Sequence, residues 1–141
     1  MKNVIVTIGA TNIRSLNFSN NFTAKPGEQI QLKVNTSVGV RLNPASPTTA
    51  AVVVKFEATD GDDKNMTFEM ETLTPITVST FIDNLDEVIK KNYLNDVMMA
   101  VNEKIRIAAT ITGLNITTPS IAFAYLKSDQ GSLETEIYAK I

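Results

Sequence analysis

The chain has 141 residues, which suits one domain and leaves no room for two independent cores. Apolar residues make up 43% and charged residues 20%, and 13 Lys+Arg against 15 Asp+Glu leave a formal net charge of -2, which argues against a nucleic-acid or membrane-surface role. Cys and His are both absent, which excludes thiol nucleophiles, disulfides, Ser-His-Asp triads and the usual zinc ligand sets.

Val, Ile and Thr together supply 43 of the 141 residues, the β-branched types that suit a pleated surface. Mostly strand is expected. Residues 3–18 begin as an alternating strand with Val4, Val6 and Ile8 on one face, bend or bulge at Gly9, and resume with Leu16 and Phe18. Residues 19–28 contain Pro26-Gly27 and read as a loop crossing to the next strand, with one aromatic, Phe22. Residues 29–42 carry the clearest period of two, with Ile30, Leu32, Val34, Thr36, Val38, Val40 and Leu42 on one face. A third strand follows from about Thr49 to Thr59, with Val52, Val54, Phe56 and Ala58 inward. In the fourth, Met66, Phe68 and Met70 alternate with Thr67, Glu69 and Glu71, and the strand continues past Pro75 to Val78.

At Ser79 the period changes to three and four. Phe81, Ile82, Leu85, Val88 and Ile89 predict a short helix capped by Ser79 or Thr80 and ending near Asn92. Leu94, Val97, Met98, Val101, Ile105 and Ala108 predict a long helix to about Thr112, stopped by Gly113. The segment from Leu133 to Ile141 looks strand-like. The expected fold is α+β, one domain over residues 1–141, with a four-stranded antiparallel meander packed against a short and a long helix. Neither a leader-type apolar run nor a stretch of transmembrane length is present, so the cytoplasm is the expected location.

The six glycines form no phosphate-binding loop, so nucleotide chemistry has no footing. Asp60, Asp62 and Asp63 read as a solvated hairpin turn, because no Glu closes a twelve-residue calcium frame. Glu69 and Glu71 could pair as catalytic acids, but they fit the wet face of a sheet better. What remains is apolar: a sheet with one greasy face, a helix carrying the adaptable pair Met98-Met99, and a loop with Phe22.

The order of elements resembles the SecB-type protein-export chaperones. Phe22 to Thr36 (FTAKPGEQIQLKVNT) is similar to the family segment that enters its second strand. Phe68 to Val78 is similar to the fourth strand, with its acidic residue at Glu69, and Gly113 with Thr117 to Phe123 is similar to a later segment. The resemblance implies a homotetramer, a dimer of dimers, that holds unfolded polypeptide in apolar grooves with no ATP or other cofactor. It is not an enzyme on this reading. The implied groove positions are Phe22, Ile30, Leu32 and Val34, with Met98, Met99 and Phe123 as the next candidates. Pro26 stands where the family often has Trp, and Ser15 and Ser19 stand where acidic residues engage the SecA motor. Glu69 is left as the one docking carboxylate, so weak or absent SecA binding is expected. Two other readings stay open: a dedicated chaperone guarding the antitoxin of a toxin–antitoxin pair, and a structural or assembly β-sandwich, which has no place for a helix at 94–112.

Overall fold

The computed structural model describes residues 4–21, 29–60, 66–113, 115–116 and 132–140. One antiparallel sheet is built from β1 (Val6–Ile8), β2 (Asn12–Asn20), β3 (Gln29–Leu42), β4 (Thr49–Thr59), β5 (Met66–Val78), β6 (Asn115–Ile116) and β7 (Ser132–Lys140). A contiguous helical stretch, comprising α1 (Leu85–Val88), a π-helical turn (Ile89–Tyr93) and α2 (Leu94–Ile111), packs on one face. The fold is therefore α+β, an antiparallel sheet against one long helix. The helix has no counterpart in a plain β-sandwich.

The sheet differs from a plain meander in its path. β3, β4 and β5 follow one another as hairpin neighbours, but β1 and β2 pair with β5, not with β3. The connection from Asn20 to Gln29 therefore links two strands that have β5 and β4 between them. The strand-like C-terminal segment is β7, and it pairs along β3 from Gln29↔Lys140 to Ser37↔Ser132. That pairing makes the first half of β3 an interior strand.

Alternation decides which side faces the helix. Leu32, Val34 and Thr36 of β3, Val52, Val54, Phe56 and Ala58 of β4, and Met66, Phe68, Met70, Ile76 and Val78 of β5 are all buried on the inner face. The register sets them opposite one another, as in Thr36↔Phe56↔Met70 and Val34↔Ala58↔Phe68. Phe68 centres an aromatic group, with its ring 5.8 Å from Phe56 and 6.4 Å from Phe18, both edge to face.

Four threonines are buried with this apolar layer, two of them at a cost. Thr11 and Thr74 join their hydroxyls in a buried hydrogen bond of 2.7 Å, whereas the buried Oγ1 atoms of Thr36 and Thr72 have no partner among the described residues.

Gly9 does mark a bulge. Ile8 faces Ile76 and Asn12 faces Leu73, so residues 9–11 stand opposite only residues 74–75. The Gly9 N–H donates to the Pro75 carbonyl at 2.8 Å, and a Cβ on Gly9 would lie 2.7 Å from Pro75 Cγ. Pro75 is tolerated within β5 because its missing donor falls on the side where the bulge has already broken the ladder.

The helix starts later than its apolar spacing suggests. Ser79 is not its cap: the Ser79 hydroxyl accepts from the Ile5 N–H at 2.9 Å, and the Ser79 N–H donates back to the Ile5 carbonyl. Phe81 and Ile82 precede the helix, and Asn84, left-handed at φ 57°, turns the chain into α1. The expected break near Asn92 is a π-helical turn instead. The buried positions run Leu85, Ile89, Leu94, with a step of five in the middle. On a regular α-helix that step would swing Leu94 about 140° off the core face. The wider turn keeps it there. Gly113, at φ 87°, ends the helix as expected. Among the described residues no helix is long and apolar enough to cross a membrane.

Candidate functional site

The residues singled out for a groove fall into three groups. Leu32 and Val34 are wholly buried, in the same cluster as Met98, which lies wholly buried on the inward side of α2. Neighbouring strands on both sides and the helix layer above seal this cluster in the isolated chain. Met99 points the other way and is exposed. Phe22 and Phe123 lie outside the described residues, and for Ile30 the structure gives the backbone pairing with Ala139 alone. Leu32, Val34 and Met98 thus come together, and Met99 does not join them.

Among the described residues the apolar layer is open at the β1–β2 border. Ile13 and Leu16 project from the inner face, opposite Thr72 and Met70, yet are 38% and 42% exposed. Phe18, opposite Phe68, is half-buried beside them. The register slips between Ile13 and Ser15, so Arg14 is an extra residue. That bulge places two side chains three positions apart on one face, which a regular strand would send to opposite faces. Period-two reading therefore misses Ile13 as a partner of Leu16. Among the described residues β2 borders the sheet; the bulge and the charge of Arg14 guard its first part, whereas the stretch from Ser15 to Asn20 carries neither charge nor proline.

A second apolar opening lies at the far end of β3. Burial declines along its inner face from Leu32 to Leu42, which is 49% exposed. Leu42 and the β3–β4 turn form one wall of a cleft of about 360 Å³, and the segment from Phe81 to Asp86 forms the other. On the outer side of α2, Ile107 and Ile111 are exposed one turn apart.

The opposite face of the sheet is polar around Glu69 and Glu71 and apolar at the paired Val53 and Leu73. A shallow trough of about 400 Å³ there is lined by Ser15, Lys55, Glu57, Glu69 and Glu71 among others. Glu69 is exposed and stands between Asn17 and Glu57 in the register, while Glu71 stands opposite Lys55. This is the wet sheet face that the alternation of β5 implies, on the far side of the sheet from Leu32 and Val34. Asp60 serves its turn: its Oδ1 accepts from the Met66 N–H at 3.2 Å. Asp62 and Asp63 lie outside the described residues, and among the described residues no three acidic side chains are grouped to hold a metal ion. No family model matches this chain, and no curated protein matches it in sequence.

Proposed function

We propose that this protein is an ATP-independent holdase of the SecB-like kind, which takes up unfolded, extended apolar polypeptide along the open β1–β2 border. The observation that carries the reading is the exposure of Ile13 and Leu16 on the same face as the core, on a strand that borders the sheet among the described residues and has neither charge nor proline from Ser15 to Asn20. An extended chain added to β2 would gain main-chain hydrogen bonds that ignore sequence, and its alternate apolar side chains would cover this shelf. Burial at roughly 25 cal/mol per Å² is likewise indifferent to side-chain identity, which suits a protein serving many clients. Leu32, Val34 and Met98 would join the contact only where a covering element moves aside. A dedicated antitoxin chaperone would use the same border for one client. Of the motor-docking positions that the resemblance implies, Glu69 is the one that carries a carboxylate, so docking to a SecA-type motor is weak on this reading, and the cytoplasm is the compartment it suits.

The test is suppression of aggregation of a chemically unfolded client, without nucleotide. Wild type is expected to suppress it near stoichiometry, and Ile13→Ser with Leu16→Ser to lose at least about half of that capacity while keeping its fold, since both sites are part exposed. Full activity in the double variant would move the client site elsewhere.

The same reading includes a homo-oligomer, a tetramer by the resemblance. Ile107 and Ile111 on the solvent side of α2 give it an apolar contact suited to a second copy. Light scattering should give a mass of several chains that falls with Ile107→Asp. A single-chain mass for wild type at micromolar concentration would contradict it.

A further inference from the structure

We infer that the cleft between the β3–β4 turn and the Phe81–Asp86 segment is a separate docking site for a peptide that presents one bulky apolar side chain next to Lys or Arg. The inference rests on the polypeptide-binding reading but on a different surface from the β2 border.

Three observations on this cleft carry it. Its apolar surface is accessible: Phe81 is 64% exposed and Leu42 49% exposed, both line the opening, and Ile82 is half-buried and Leu85 buried. An aromatic ring left this far in water beside an aliphatic partner is a favourable anchor for a third apolar group.

Both walls are built in advance. On one side, the Asn43 side-chain oxygen accepts from the Ala45 N–H at 3.0 Å, its carbonyl accepts from the Ser46 N–H at 3.1 Å, and Ser46 in turn accepts from both the N–H and the hydroxyl of Thr49 at 3.0 Å. Pro44 and Pro47 fix further torsions in this turn. On the other side, Ser79 is tied to Ile5 through two hydrogen bonds, and the Asn84 carbonyl accepts from the N–H groups of Glu87 and Val88 at 3.1 Å. A ligand entering between fixed walls loses less to ordering than one that must organise a loop.

The rim carries charge of one sign. Asp83 and Asp86 border the cleft, and among the described residues no Lys or Arg lines it and neither carboxylate has an ion-pair partner. The complementary ligand is apolar with a neighbouring cation. An acidic flank would be repelled.

The test uses dye-labelled nine-residue peptides and fluorescence anisotropy with the full chain. One peptide carries a central Phe between two Lys, a second carries Phe between two Glu, and a third carries Ser between two Lys. The first is expected to bind more tightly than the other two. D83N/D86N should weaken it roughly five- to tenfold at low salt and remove most of its salt dependence, and F81S should weaken it more than about tenfold. Both variants should melt within a few degrees of wild type. Equal binding of all three peptides, or binding untouched in both variants, overturns the inference, as does a change of oligomeric mass in F81S, which would make the cleft a contact between copies. Aggregation suppression measured on the same samples separates the two claims. Peptide binding without suppression removes the holdase reading and leaves the cleft. Suppression with no cleft-dependent peptide binding does the reverse.

Discussion

Leu32→Ala combined with Val34→Ala is expected to leave the protein largely unfolded, or melting at least about 10 °C below wild type. Both side chains are wholly buried, in a strand paired on either side by β4 and β7. Removing three carbons from a buried Leu costs about 2–5 kcal/mol through lost transfer energy and the cavity left behind, and the Val change adds to it. Total stability of a domain this size is only about 5–15 kcal/mol. Thermal melting by circular dichroism reads the outcome. A double variant that melts like wild type would mean that these positions face a space already open to solvent, and would restore them as a standing groove.

Phe68→Ala should be the most damaging single change. The ring is wholly buried at the centre of the inner face and makes edge-to-face contacts with Phe56 in one neighbouring strand and Phe18 in the other. A Phe-to-Ala change in a core costs about 3–5 kcal/mol, and each aromatic pair adds roughly 0.5–1.5 kcal/mol beyond burial. Phe18→Ala, at the half-buried border, should cost less than half as much. Urea midpoints with an unchanged slope give both numbers. A Phe68→Ala cost under about 1.5 kcal/mol would mean that this layer is loosely packed.

Much of this architecture is legible in the residues because the strands alternate strictly. The inward sets of β3, β4 and β5 follow from period two, and the long helix follows from Leu94, Val97, Met98, Val101 and Ile105. Strand order is not local information, however. The pairing of β1 and β2 with β5 depends on contacts between residues far apart in the chain, and no turn signal encodes it. The helix start is obscured by Phe81 and Ile82, whose spacing fits a helix while their backbone serves the cleft and the tie from Ser79 to Ile5. The step of five from Ile89 to Leu94 reads as a gap between two helices until a π-helical turn is allowed.

The candidate site was legible only in outline. Alternation marks Leu32 and Val34 as apolar and on one face, but whether that face is sealed depends on β7 and the helix, which pair and pack from distant parts of the chain. Leu16 is read as part of the apolar strand, but Ile13 escapes notice for a local reason: the bulge at Arg14 hides the face it shares with Leu16 from a period-two reading.

The most direct measurement of the central claim is amide hydrogen exchange with and without a saturating unfolded client. If an extended chain adds to the open border, alternate amides of β2 between Asn12 and Asn20 should slow by more than about tenfold, with β4 unchanged. Protection confined to α2, or none in β2, would contradict the account and place the client on another surface.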